Sequence, residues 1–438
     1  MSDDSQLIAI EQVKIGMFIK LDLSWFEHSF SMNSFKITNQ EQLNELLALE
    51  LKHIRYIPSK SDLTLVNANK TVTTAKSDST AKVVVFDSIV EAKKARFEKL
   101  MRQRDELARC EEQFVQAATI VRSIGKTIFS QPEKTIKEAS KLIDSIADIF
   151  LDSNDTVMHL IQQTGANEDL YFHTLNVSVL AMMLASEMKC SEAQIKSVGM
   201  AALFHDIGKV NIPDKILNKT EALTKPEQNF FELHTQYGVD VGSKAGLPPV
   251  VIEVIAQHHE HMDGSGYPQK LKADAIRMPT RIVTIANVYD NLCNHLDPSQ
   301  SLTPHEALSM MYAHRRAQFD PAVMATMIKS LGVYPPGTIV RLSNEAVGLV
   351  MNVNVGKPLR PRVLVYDAEI LKEDAIILDL SEEGADLSIT ASIRPGLLPK
   401  AIFDYLNPRK RVNYYFDSKS KRSSSGSTNV GTGTGTNR

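Results

Sequence analysis

Cysteine is scarce. The 438-residue chain has three, Cys110, Cys190 and Cys293, far apart and without a CxxC pair. That excludes a disulfide-stapled fold and is the usage of a reducing compartment. An excess of charge of either sign is missing too. Lysine and arginine number 49 against 52 aspartates and glutamates, a net charge of −3, so no strong field points to a nucleic acid polymer or an anionic membrane surface. No run of 18 apolar residues occurs, and the opening MSDDSQLIAIEQ has no basic stretch leading into an apolar one. The expectation is a cytoplasmic chain with neither a membrane-spanning helix nor a secretory signal. No internal repeat is visible. Against these absences stands an ordinary globular composition, 43% hydrophobic and 23% charged, with length for about three domains.

Residues 13–22 (VKIGMFIKLD) and 35–37 (FKI) mix β-branched and aromatic residues with turn formers and read as strands. Leu43, Leu46, Leu47 and Leu51 fall at helical spacing, and a strand is expected around 54–57. Residues 1–65 are thus expected to form a small α+β domain, and the small polar residues of 66–82 a flexible linker. Over 83–132 the pattern predicts a long helix. Leu107, Cys110, Phe114, Ala117, Val121, Ile124 and Ile128 step by threes and fours, and Phe86, Val90, Phe97 and Leu100 extend the stripe upstream. Such a seam either packs on the chain's own core or joins two copies as a homodimer through 86–128.

The pattern over 133–334 is almost wholly helical, with breaks at 211–214 and 246–249. After Tyr334-Pro335-Pro336-Gly337 the period changes to short strands at 338–342, 348–355, 363–366 and 376–380, a β-rich appendage over 335–416. Residues 417–438 read as a disordered, low-complexity tail. The fold expected is multidomain and mainly α: a helical bundle flanked by an N-terminal α+β domain and a C-terminal β-rich appendage.

Six of the twelve histidines fall between 173 and 261. His205-Asp206-Ile207-Gly208-Lys209 ends an apolar helical run with an imidazole beside a carboxylate, both good ligands for first-row divalent ions. Lys209 adds a cation suited to a phosphate oxygen. A lone His-Asp pair is weak evidence. The run from His258 to Pro268 (HHEHMDGSGYP) strengthens it, since two consecutive histidines precede a glycine-rich loop where backbone can approach a ligand closely. His173 and His234 are further ligand candidates, although either alone would more often be a core histidine. Asp169 lies four residues before His173 and shares its helix face. Taken together, the set points to metal ligation. His28, His53, His159, His295, His305 and His314 stand outside these segments and read as ordinary surface or core residues, and His261 as a loop residue away from the metal. Glu260 is expected to orient an imidazole.

With HDIGK at 205–209, HTQYG at 234–238, HHExxDGSGYP at 258–268 and QFDP at 318–321, the chain closely resembles the HD-GYP family of bacterial cyclic-dinucleotide phosphodiesterases, a branch of the HD metal-phosphohydrolase superfamily. The resemblance covers roughly 155–335, is placed within 133–334, and continues more softly into YPPGTIV at 334–340. Residues 1–65 resemble a small domain of unknown function that often precedes such domains. The resemblance implies a helical bundle holding two or three divalent ions, iron or manganese. Their ligands would be His173, His205, Asp206, His234, His258 and His259, with Asp169 at a third-metal position and position 287 closing the set. Asp206 and Lys209 would be catalytic, and Lys209, Gly264, Gly266, Tyr267 and Pro268 would contact the substrate. The implied reaction is hydrolysis of cyclic di-GMP to linear pGpG and onward to GMP, with 3',3'-cyclic GMP-AMP as the alternative substrate.

The family's A-D-x-Y-D segment here reads Ala286-Asn287-Val288-Tyr289-Asp290, so a neutral carbonyl oxygen stands where a carboxylate is usual. Leu296 and Ser299 occupy positions where relatives carry basic residues that grip phosphate, leaving Arg281, Arg315 or Arg316 as substitutes. These departures keep open a second class of function, a non-hydrolytic sensor that binds nucleotide or metal.

Overall fold

The computed structural model describes residues 5–62, 98, 101–102, 105 and 108–418, apart from 24–27, 29, 31–32, 50, 152–155, 162–168, 355–356, 369, 371, 373–374, 383–386 and 407–412. The stretches read from sequence as linker (66–82) and tail (419–438) therefore lie outside the described residues.

At the N-terminus, strands β1 (Gln6–Ala9), β2 (Phe18–Lys20), β3 (Ser34–Lys36) and β4 (His53–Tyr56) form an antiparallel sheet in the order β1-β4-β2-β3. Helix α1 (Gln40–Ala48) is started by Asn39, whose side chain accepts the Gln42 amide at 2.9 Å. Its Leu43 and Leu46 pack with Ile19, Leu21, Ile37 and Ile54 in a separate core. β1 escaped the sequence reading because it is an edge strand without a fully buried face.

Helix α2 (108–127) turns Cys110, Phe114, Ala117, Val121 and Ile124, with Ile128 beyond its end, into the main core. All six are at most 5% exposed. These six side chains are spent within the chain's own core. Phe86, Val90, Phe97, Leu100 and Leu107 lie outside the described residues.

Helices α3 (Pro132–Leu151), α4 (Asp169–Glu187) and α5 (Glu192–Phe204) continue the bundle. Leu175, Val177, Val179, Leu180, Met182 and Leu184 of α4 are fully buried, as a helix covered on all sides requires. A capping box of Ser191 and Gln194 starts α5. A 3-10 turn at Ile207–Asn211 follows it, then α6 (Asp214–Leu217), α7 (Lys225–Glu232), α8 (His234–Ala245), α9 (Pro249–Gln257), α10 (Met278–Cys293), α11 (Pro304–His314) and α12 (Pro321–Leu331). Gly246 ends α8 at φ 81°, letting Leu247 N–H reach back to the Gly242 carbonyl at 2.9 Å.

One segment departs from the all-helical expectation for 133–334. Residues Thr156–Ile161 form strand β5. Beyond the bundle, β6 (Ile339–Leu342), β7 (Val347–Asn352), β8 (Arg362–Val365), β9 (Ile376–Asp379) and β10 (Ile389–Ile393) make an antiparallel sheet in the order β10-β6-β7-β8-β9. After α13 (Lys400–Leu406) the chain returns as β11 (Asn413–Ser418), which pairs antiparallel with β5, Asn413 opposite Ile161. A short apolar run such as TVMHLI suits either period, and the partner that selects the strand lies at the far end of the chain. Among the described residues no helix is long and apolar enough to cross a membrane.

Candidate metal centre

α5 ends at His205 and the chain turns at once, so two adjacent residues that would diverge on a helix both face the bundle interior. Asp206 lies at the centre of what they meet. Its Oδ2 faces His205 Nε2 at 3.2 Å and His173 Nε2 at 3.6 Å. Its Oδ1 faces His234 Nε2 at 3.5 Å and His258 Nε2 at 3.6 Å. His259 completes the second group, giving two sets that share one carboxylate: His173, His205, Asp206 and Asp206, His234, His258, His259. The rings come from α4, the end of α5, the first residue of α8 and the end of α9.

Three of these rings have their tautomer fixed from behind. His205 Nδ1 lies 2.6 Å from the Ala202 carbonyl, His234 Nδ1 2.7 Å from Phe231 and His258 Nδ1 3.0 Å from Ile255. A carbonyl oxygen only accepts, so each Nδ1 carries the proton and, in the neutral ring, each Nε2 presents a lone pair. Burial pushes His205 below the ordinary imidazole value, His234 down to about 3 and His259 well down. The Nε2 atoms of His234 and His258 face each other at 3.4 Å. The buried Nε2 atoms of His173, His205 and His259 and Oδ1 of Asp206 have no hydrogen-bond partner. Unpartnered His205 Nε2 and Asp206 Oδ1 at the centre of the cluster are what a cation resolves. Two ligand atoms each about 2.0–2.1 Å from one ion lie about 3–3.5 Å apart, close to the 3.2–3.6 Å seen around Asp206. The cluster fits a divalent metal site.

His173 differs. Burial lowers its affinity for a proton, but the carboxylates of Asp206 and Asp290 outweigh burial and raise it to about 9. Its Nδ1 lies 2.5 Å from Asp290 Oδ2. The other Asp290 oxygen receives hydrogen bonds from the Asn176 amide and from Asn294 Nδ2 at 2.8 Å. Asn176 Oδ1 in turn accepts the backbone N–H of Tyr414 in β11 at 2.8 Å. Sequence reasoning missed Asn176 and Tyr414 and gave Asp290 no role. The available signal was a carboxylate at the end of A-N-V-Y-D, three residues from Asn287 on a buried helix face.

Burial opposes the charge of Asp206, yet the His205 ring and the Lys209 ammonium hold its carboxyl well below the usual range. Lys209 Nζ sits 2.5 Å from Asp206 Oδ2 and 5.6 Å from the centre of the Phe231 ring. Asn287 is buried on α10, and its Oδ1 accepts from Asn291 Nδ2 at 2.7 Å. Asp169 starts α4 one turn before His173, and its side chain lies outside what the structure describes.

The glycine loop folds back on the double histidine. Tyr267 N–H bonds the His259 carbonyl at 3.1 Å, and its ring stacks on His259 at 4.5 Å and 18°. A Cβ on Gly266 would lie 2.3 Å from that carbonyl. Gly264 takes φ 82°, and Pro268 follows Tyr267 through a cis bond. Glu260 does not orient an imidazole: its two oxygens accept the amides of Gln269 and Leu271 at 2.6 and 2.8 Å, strapping down the loop's far end. His261 bonds Ser265 at 3.0 Å and lies outside the two ligand sets. Arg281 is not free for phosphate, since it is tied to Asp320 at 2.8 Å and to the Ile276 and Ala273 carbonyls. Arg316 lies over the Tyr312 ring.

A cavity of about 530 Å³ opens onto the other side of Asp206. Asp206, Lys209, Ile124, Lys126, Phe129 and Tyr171 are among the residues that line it. The glycine loop is not part of its lining.

Residues 122–323 match the family model described as HD domain, and residues 5–139 match that of a domain of unknown function, DUF3391. The HD match is thus preceded by the DUF3391 match, the two overlapping over 122–139. Among similar proteins is one from Pseudomonas aeruginosa named cyclic di-GMP phosphodiesterase, 29% identical over 372 residues, which cover 82% of this chain and 84% of that protein. The cyclic di-GMP phosphodiesterase response regulator RpfG of Xanthomonas campestris is 35% identical over 155 residues, 35% of this chain and 41% of that protein. A 3'3'-cGAMP-specific phosphodiesterase of Vibrio cholerae is 30% identical over 190 residues, 43% of this chain and 36% of that one. The solved structure of an HDG"Y"P protein from Bdellovibrio bacteriovorus aligns with a TM-score of 0.36 at 16% identity, covering 74% of this chain and 98% of that one.

Proposed function

We propose that the chain is a metal-dependent phosphodiesterase that opens a cyclic dinucleotide, with cyclic di-GMP as substrate and linear pGpG as first product. The observation that carries this reading is the Asp206 carboxylate, whose two oxygens address two separate histidine groups. That arrangement suits divalent ions, iron or manganese, which His173, His205, Asp206, His234, His258 and His259 would hold, with Asp169 the candidate ligand for a third ion. When bound, such ions supply Lewis-acid stabilisation of charge on a phosphoryl group and lower the pKa of water. His205 and His234 aim Nε2 at the cluster with the proton held on Nδ1, and Asp206 would contribute the compensating anion. Lys209, beside Asp206 and on the cavity wall, is positioned to meet a phosphoryl oxygen as negative charge grows on it. Tyr267 closes the centre from the histidine side.

Relatives named for cyclic di-GMP and for 3'3'-cGAMP both lend support to the dinucleotide class, and cyclic GMP-AMP is the second substrate to try. The test is anaerobic metal analysis paired with turnover of both dinucleotides on one iron- or manganese-loaded sample. Two or three bound ions with linear product is the expected result. Bound metal with neither dinucleotide cleaved would replace the hydrolase with the sensor reading. Asn287, held by Asn291, would then be the first residue to exchange for aspartate.

A further inference from the structure

Cyclic dinucleotides carry two phosphates, and hydrolysis engages one of them. The other keeps its charge and needs a cation of its own inside the site. The positions where relatives place that cation cannot supply it here. Leu296 is apolar, Ser299 is bonded through both N–H and hydroxyl to Asp297 at 2.9 and 2.8 Å, and Arg281 is committed to Asp320. The cavity beside Asp206 does contain a second cation. Among its lining residues Lys209 and Lys126 are the two basic ones, and Lys126 forms no ion pair with any described residue.

Lys126 sits near the end of α2 and lines the same cavity as Asp206 and Lys209. Its neighbours there suit a nucleobase. Phe129 lines the cavity and is 54% exposed, a large aromatic face left uncovered at the rim. Tyr171 stands beside it, backed by the Arg122 guanidinium 5.8 Å above its ring. Gly125 leaves room between them, since a Cβ there would touch only Tyr171, at 3.7 Å. About 530 Å³ of space lined mostly by apolar side chains, with the rings of Phe129 and Tyr171, the cations of Lys126 and Lys209 and the carboxylates of Asp206 and Asp214, has the size of a nucleotide, and Lys126 is the cation there that no described carboxylate pairs.

We propose that α2 and the turn after it form a second half of the substrate site, in which Lys126 holds the phosphate that is not cut and Phe129 stacks on a base. This rests on the reading of the chain as a cyclic-dinucleotide phosphodiesterase and deepens it. The DUF3391 and HD matches overlap at these residues, so the wall that grips the substrate is continuous with the domain that precedes the bundle.

Equilibrium dialysis of labelled cyclic di-GMP and cyclic GMP-AMP tests it, using the metal-depleted full chain, which leaves the ligand uncut, and its Lys126→Met, Lys126→Arg and Phe129→Ala variants. Turnover and thermal melting are followed on the same proteins after loading with iron or manganese. Losing one charge-assisted contact or one stacked base weakens binding by about tenfold. Lys126→Met and Phe129→Ala are each expected to do so, Lys126→Arg to retain most of the affinity, and KM to rise more than kcat falls. Unchanged affinity in a folded Lys126→Met protein overturns the proposal, as does a Lys126→Arg protein as weak as Lys126→Met. Binding by the wild type without cleavage after loading removes the hydrolase reading, and the ratio of Kd values still decides this one. Neither binding nor turnover of either dinucleotide by the wild type overturns both.

Discussion

A carboxylate facing four imidazole nitrogens through two oxygens is held in place by its neighbours rather than by solvent. Replacing Asp206 by asparagine keeps the shape and removes the shared anion. The expected outcome is a helical spectrum like that of the wild type, loss of ions from both histidine groups, and a fall in kcat of at least about 10³-fold. Normal turnover in a well-loaded Asp206→Asn protein would remove Asp206 from the chemistry. Asp290 acts through His173. Its exchange for asparagine weakens the acceptor behind the ring, and partners of this kind typically contribute about 10–100-fold in metal affinity. Competition with a chelator measures that loss, while the melting temperature reports whether the fold has been kept. At this scale the ligand histidines, Asp206 and Lys209 were legible because they cluster in short motifs. Asp290 and Asn176 were not, because their meaning lies in a contact between residues 117 and 114 positions apart.

The elements that bring these residues together pack without spare room. Gly208 follows Asp206 by two residues, and a Cβ there would lie 1.9 Å from the His234 carbonyl and 2.4 Å from Gly238 N. The turn after α5 and the first turn of α8 are thus pressed backbone to backbone, which sets the His234–Asp206 spacing. Gly208→Ala forces them apart, an overpacking change that costs about 1–3 kcal/mol. Both the melting temperature and the bound-metal count should drop, whereas Gly246→Ala, with nothing within 4 Å of its Cβ, should lower stability alone. The QFDP segment has a structural explanation of the same kind. Asp320 caps α12 through Ala322 and Val323 N–H at 2.8 and 3.1 Å and pairs with Arg281. Burial works against its charge, but the Val323 amide and the Arg281 guanidinium hold its carboxyl below the usual value. A carboxyl depressed on folding contributes stability that is present above its unfolded value, about 3.9, and lost as pH falls through the folded one. Asp320→Ala should cost about 1–2 kcal/mol at neutral pH and less below pH 4, which urea titrations at the two pH values would reveal.

Across the whole molecule, one line of hydrogen bonds joins the last described strand to the metal centre. Tyr414 N–H meets Asn176, Asn176 meets Asp290, and Asp290 meets His173. The first of these contacts spans 238 residues. No periodicity or motif announces it, which is why the return of β11 to pair with β5 was invisible in a sequence whose helical pattern and short C-terminal strands were otherwise plain. The same tyrosine also anchors the region through its side chain, its hydroxyl meeting Tyr289 at 2.9 Å and the Pro336 carbonyl at 3.1 Å. Two variants separate these roles. Tyr414→Phe leaves the backbone donor to Asn176 and removes the buried hydroxyl, leaving Tyr289 and Pro336 short of a partner, so stability should fall by about 1–3 kcal/mol with metal affinity kept. A chain ending at residue 412 loses the strand and, with it, the Tyr414 amide that meets Asn176 behind Asp290. Its metal affinity should fall by about 10-fold or more, even though no ligand has been touched. Equal metal affinity in the shortened chain would show that Asn176 and Asn294 hold Asp290 well enough without the Tyr414 amide, and that the C-terminal strand covers the bundle without tuning its centre.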